Sequence, residues 1–191
     1  MPSRLWITIN ARLRPLDRGE RYEDPLEEAL DAKAPGSHIG GGGTLLSAEG
    51  EPTVSDVDLD VAGDAGAVLA LTIATLEAAG VPKGSKVRLD DDEPITFGVT
   101  EGLAVYLNGT DLPGEVYERN DVNDLIAALL DALGTEGELQ SYWEGPQETA
   151  LYLYGPSAGR MSELIAGVLE RFPLAQRCRV VPLPTTLPDR D

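Results

Sequence analysis

The chain has 191 residues, 42% hydrophobic and 25% charged, enough to bury one generous core or two small ones and too apolar for a disordered segment. Asp and Glu number 33 against 15 Lys and Arg, a formal net charge of −18 that disfavours nucleic acid and anionic membranes. The same charge favours a basic protein partner or a divalent cation. One cysteine (Cys178) and one histidine (His38) leave no intrachain disulfide, no cysteine-based zinc site and no paired-histidine metal site.

The N-terminal segment MPSRLWITINARLRPL has no apolar run of signal-peptide length, and no stretch approaches a membrane helix, so the expected location is the cytoplasm. Residues 5–11, LWITINA, alternate Leu5, Ile7, Ile9 and Ala11 with Trp6, Thr8 and Asn10, the period of a half-buried strand. DPLEEALDA (24–32) places Pro25 in a first helical turn and Leu26, Ala29 and Leu30 on one face. HIGGGGTLLSAEGEPTVSDVDLDV (38–61) reads as a hairpin turning at Glu-Gly-Glu-Pro. A helix follows from capping Asp64 to Gly80, then a short strand, KVRL (86–89).

A second round has the same order. ITFGV (95–99) is a candidate hairpin partner of the strand GLAVYLNG (102–109). NDVNDLIAALLDALG (120–134) is a helix, ELQSYWEG and ETALYLYG pair around Gly145-Pro146, SAGRMSELIAGVLERF (157–172) is a helix, and CRVVPLP (178–184) is a strand. The segment from Val57 superposes without gaps on that from Leu151, so that Leu59 falls on Leu153 and Val57 on Leu151. The predicted fold is α+β: two tandem ferredoxin-like βαββαβ units, each an antiparallel sheet with helices on one face. The predicted units are residues 1–92 and 93–191, divided where DDDEP (90–94) interrupts the pattern. A single mixed sheet shared by both halves is the alternative.

In such units one sheet face is covered by helices. Leu5, Ile7, Ile9, Val57, Leu59 and Val61 are expected there, with Trp6, Thr8, Asn10, Asp56, Asp58 and Asp60 on the other face. The corresponding face of the second unit would carry Tyr106, Asn108, Tyr152 and Tyr154, with Tyr142 or Trp143 nearby. The candidate binding residues are therefore Trp6, Asp56, Asp58, Asp60, Tyr106, Trp143, Tyr152 and Tyr154. Three aspartates at alternate positions form a stripe of like charge that needs compensation. Arg4, Arg12, Lys86 and Arg88 are available for it, as are tyrosine hydroxyls. Exposed rings are costly, so the aromatic face is expected to be covered.

The glycine run marks a bulge or a close approach of backbone or ring, with Trp6 or Trp143 as candidate rings. His38 reads as a strand-edge polar residue and Cys178 as a small buried hydrophobe. GPSAGR (155–160) reads as a helix start capped by Ser157, where backbone N–H groups can also hold an anion.

A Gly-rich turn followed by Asp-x-Asp on a strand resembles the signature of the nucleotidyltransferase (polymerase-beta-like) superfamily. That resemblance implies Mg²⁺ at Asp56 and Asp58, a triphosphate at Gly42, Gly43 and Thr44, and a third carboxylate for which Asp90 is the candidate. The pattern departs in having Gly-Thr where Gly-Ser is usual. Over the whole chain, GGGT before an acidic strand, VPKGSK and SYWEGPQETALYLYG are similar to bacterial proteins of unassigned function, a resemblance that implies no activity. The residues favour a non-enzymatic protein-binding module without a cofactor, an inhibitor or immunity-type partner of a basic protein. The alternative is the Mg²⁺-dependent enzyme.

Overall fold

Alternation of apolar and polar residues becomes a strand with two unlike faces. In the computed structural model, which describes residues 3–187, β1 (Ser3–Ile9) buries Leu5, Ile7 and Ile9 and turns Arg4, Trp6 and Thr8 the other way. The chain then forms α1 (Pro15–Arg18), a π-helical turn (Gly19–Glu23) and α2 (Asp24–Lys33). Of these only α2 is signalled by its sequence. The polar stretch before it is tied down by Tyr22, which is almost completely buried.

The hairpin follows as β2 (His38–Leu46) and β3 (Pro52–Val61). Helix α3 (Ala65–Ala78) starts at Asp64, whose carboxylate accepts hydrogen bonds from the N–H groups of Gly66 and Ala67 at 3.0 and 3.2 Å. These two donors have no partner inside the helix, so the cap fixes where the helix begins. Asp64→Ala is expected to lower the free energy of unfolding by about 1 kcal/mol, read as a shift in urea midpoint at constant slope. β4 (Ser85–Leu89) and β5 (Ile95–Phe97) complete an antiparallel sheet of order β2-β3-β1-β4-β5.

The second sheet contains β6 (Glu101–Asn108), β7 (Glu138–Glu144), β8 (Glu148–Gly155) and β9 (Arg179–Pro182), in the order β7-β8-β6-β9. Its helices are α4 (Gly114–Arg119), α5 (Val122–Leu133) and α6 (Ala158–Arg171). Leu103, Val105, Leu107, Leu151 and Leu153 form one core with Leu125, Leu129, Leu133, Met161, Ile165 and Val168 from α5 and α6. In the first unit, Val57, Leu59 and Val61 join the β1 side chains in being buried, as do Leu26, Leu30, Val68 and Leu76 of the helices. Apart from β5, both sheets share one strand order, second-third-first-fourth, which is the ferredoxin-like arrangement expected from the sequence. The alternative of one shared mixed sheet does not occur.

One pairing differs from expectation. β5 pairs with β4, through Ser85↔Phe97 and Val87↔Ile95, and not with β6. Thr100 also bridges to Pro82. The chain accordingly divides into one compact unit that runs to Thr100 and resumes at Thr185, and another comprising Glu101–Pro184. Residues 93–100 lie in the first unit. Among the described residues no helix is long and apolar enough to cross a membrane.

Candidate functional site

The face of the first sheet opposite its helices is organised in rows, because residues paired across strands share a face. One row runs Gly43, Asp56, Thr8, Lys86 and Thr96 from β2 to β5. A second runs Gly41, Asp58, Trp6 and Arg88, and a third His38, Asp60 and Arg4. Gly43, Asp56, Thr8 and Lys86 of the first row and Asp58, Trp6 and Arg88 of the second line a shallow concavity of about 810 Å³ together with Gly42 and Pro94. The aspartate stripe is therefore real, and each member meets a different environment.

Asp60 is compensated as expected: its Oδ1 accepts from Arg4 Nε at 3.0 Å and Nη2 at 2.8 Å, and His38 Nε2 lies 3.6 Å from Oδ2. Asp56 instead accepts from the hydroxyl of Thr8, its direct cross-strand neighbour, at 2.8 Å. The Asp58 side chain makes no hydrogen bond or ion pair among the described residues, nor do those of Lys86 and Arg88. The expected pairing of aspartates with Lys86 or Arg88 fails for a geometric reason. β1 stands between β3 and β4, so the charges are two strand spacings apart, roughly 10 Å, with Thr8 and Trp6 between them. Arg12 is taken by Glu51. Trp6 is 38% exposed, with the Arg4 guanidinium carbon 5.2 Å from its ring centroid. The concavity is thus bipolar, acidic toward β2 and β3 and cationic toward β4, with an indole at its centre.

The glycines form neither a phosphate-binding turn nor a shelf for a ring. They are the middle of β2, paired with β3, with a bulge between Ile39 and Gly41. A Cβ on Gly40 would sit 2.7 Å from Asp60 Oδ2, and one on Gly42 2.7 Å from the Asp56 carbonyl oxygen. Close approach explains these two. Gly41 and Gly43 share the sheet face of Asp58 and Asp56, where a Cβ would meet only Asp58 Oδ2 at 3.9 Å or nothing within 4 Å. Thr44 accepts from Arg18 Nη1 at 3.1 Å. Asp90 lies at the end of β4, accepting the Arg4 N–H at 2.8 Å, away from Asp56. Among the described residues no three His, Cys, Asp or Glu side chains group as metal ligands.

The aromatic residues of the second sheet are placed differently. Tyr152 and Tyr154 are 0% and 1% exposed and Tyr106 is 7% exposed, so none offers a ring to solvent. The Arg179 guanidinium carbon sits 4.3 Å from the Tyr106 ring centroid, and Arg179 grips Glu148 through Nε and Nη2 at 3.0 and 2.6 Å. Tyr142 packs on the helix-side core, not on the opposite face. Trp143 is half-buried and folds over Gly145 of its own hairpin. Asn108 accepts from the N–H groups of Thr110 and Asp111, holding the loop after β6.

Cys178 packs against the second core, and burial pushes its thiol above the ordinary value despite an opposing backbone hydrogen bond. At the start of α6, Ser157 accepts from the Arg160 N–H at 3.3 Å and the Glu101 carboxylate from the Ala158 N–H at 3.0 Å. An anion is thus already supplied there by the chain itself.

No family model matches the sequence, and no curated protein matches it. Similar solved structures include an unknown protein from Galdieria sulphuraria at 12% identity and TM-score 0.30, covering 95% of this chain and 97% of that one. Another is described as a "putative glycine cleavage system transcriptional repressor", at 12% identity and TM-score 0.32, covering 95% and 96%.

Proposed function

We propose that the chain is a non-enzymatic binding module, of the inhibitor or immunity type, that takes a basic protein partner on the acidic half of the first sheet. The observation that carries this reading is Asp58, a half-buried carboxylate without a cation, beside Asp56 and Trp6 in a concavity that Gly42 and Gly43 also line. An uncompensated carboxylate in a stripe of like charge is a standing electrostatic cost, and a partner's Lys or Arg would relieve it. The net charge of −18 adds long-range attraction for such a partner. Trp6 supplies an amphipathic ring of the kind enriched at protein interfaces.

The test uses the wild-type chain and the Asp56→Asn/Asp58→Asn variant as baits in an extract of the native host. Asparagine keeps the shape and can still accept from Thr8. The expected result is a basic protein retained by the wild type at low salt, lost from the variant, and released by moderate salt. Identical captures on both baits, or an acidic partner, would overturn the reading. The enzyme alternative makes the opposite forecast in a simpler measurement. Millimolar Mg²⁺ with ATP is expected to leave the melting temperature unchanged, whereas specific binding to the native state would raise it by mass action.

A further inference from the structure

Among the described residues β2 has a neighbour on one side only, since it ends the sheet. Nine residues make a long edge, and long edges are normally blunted by lysines, prolines, bulges or inward charges. Here the pairing with β3 is irregular near both ends, between Ile39 and Gly41 and between Leu45 and Leu46. The Ile39 N–H is occupied by Glu27 Oε1 at 2.9 Å, and Arg18 donates to the Thr44 hydroxyl. From Gly41 to Leu46 there is no charge and no proline, and all but Thr44 are exposed, Leu45 and Leu46 by 52% and 53%. Such an edge is a template for one more strand.

The glycines decide what kind of strand. Gly41 and Gly43 pair directly with Asp58 and Asp56, on the face of the concavity. With no side chain at either position, nothing stands between those carboxylates and the space beyond the edge. An added strand would lie one spacing outside β2 and two from β3, roughly 10 Å. A lysine or arginine lying inward across a glycine covers that distance and ends on the carboxylate. Only alternate residues of the incoming strand share this face, so its cations must recur with a period of two. A second copy of β2 would present glycines there and leave Asp58 unanswered.

We infer that β2 receives an extended basic segment of the partner as an additional strand, with alternate Lys or Arg side chains reaching over Gly41 and Gly43 to Asp58 and Asp56. This rests on the proposed binding of a basic protein and specifies how it docks.

The experiment measures binding of a synthetic peptide that alternates lysine and threonine, its counterpart N-methylated on the edge-facing nitrogens, and a host basic protein captured as above. Wild type is expected to bind the alternating peptide and to lose the N-methylated one. Gly43→Val introduces a side chain into open space and Gly41→Val one whose Cβ makes only an ordinary contact with Asp58, so neither clashes and both should keep the melting temperature near or above wild type. They should nevertheless weaken peptide binding about tenfold, because the new side chains block the path to the aspartates. If both peptides bind alike, or the valine variants bind as wild type does, strand addition is overturned while the basic-partner reading stands. Failure of every peptide, alongside aspartate-dependent capture of a basic protein, likewise overturns strand addition alone. Absence of any aspartate-dependent basic partner overturns both. Sedimentation that shows a dimer dissociated by Gly43→Val would assign the edge to a second copy and overturn the proposal.

Discussion

Alanine in place of Gly98 is expected to lower the stability of the first unit by about 2–5 kcal/mol. Gly98 has φ of +113°, in the left-handed half of backbone space that side chains avoid, and a Cβ there would run into the carbonyl of Pro82. The neighbouring backbone cannot move away freely. Val99 donates to the Val81 carbonyl at 2.9 Å, Lys83 donates to Thr100 at 2.8 Å, and the Gly98 N–H itself reaches Glu77 Oε1 at 3.2 Å. These bonds tie the segment after β5 to α3 and to the turn before β4, so relief of the clash must break at least one of them. Gly43→Ala is the control, since its new Cβ meets nothing within 4 Å, and it should shift the urea midpoint very little. Equal midpoints for the two variants would show that the backbone at Gly98 does not take this conformation in solution.

Replacing Tyr152 and Tyr154 together with alanine should unfold the second unit at room temperature. Each ring is essentially removed from water, and truncating a buried aromatic costs about 3–5 kcal/mol. Two such losses approach the whole stability of a typical domain, about 5–15 kcal/mol. The structure around Tyr154 is shaped to hold its ring: a Cβ on Gly102 would lie 2.8 Å from Tyr154 Cε1. The corresponding double phenylalanine variant keeps the rings and should remain folded with a smaller loss. Near-ultraviolet circular dichroism and thermal melting read the difference. A double alanine variant that melts with wild type would mean that these rings are not packed in the native state.

Sequence periodicity was informative wherever one face of an element is apolar. Leu5, Ile7 and Ile9 against Trp6 and Thr8 define the two faces of β1, and Asp64 and Ser157 mark helix starts by the hydrogen bonds they accept. The elements without a sequence signal are those whose stability is tertiary. The stretch around Gly19 received no element from the sequence, yet it is helical and contains the buried Tyr22. β5 is three residues long, too short for a pattern to state its partner. In β6, by contrast, a usable signal was present: Leu103 to Leu107 is an uninterrupted buried run, the mark of a strand covered on both faces. That run anticipates the burial of Tyr106.

The candidate site was half visible. Three aspartates at alternate positions put a charge stripe on one face without further information. Which partner each one meets depends on register, because Thr8 stands directly opposite Asp56, and because β1 separates Asp58 from Arg88. The glycine run is ambiguous in sequence between a turn and a strand. Pairing with β3 decides it, since a glycine strand takes its extended shape from its neighbour's hydrogen bonds and not from side chains of its own.

The return of the chain to the first unit at Thr185 sets an order of assembly. The Thr185 carbonyl occupies the space that a Cβ on Gly84 would claim, and Gly84 can admit it because it lacks that atom. On a translating ribosome, residues of the first unit emerge before those of the second, yet this contact is delivered only after the whole of Glu101–Pro184 has been made. The second unit therefore has all its parts outside the exit tunnel sooner than the first. Prematurely terminated products ending inside Glu101–Pro184 would carry a nearly complete first sheet whose last backbone contact at Gly84 never arrives.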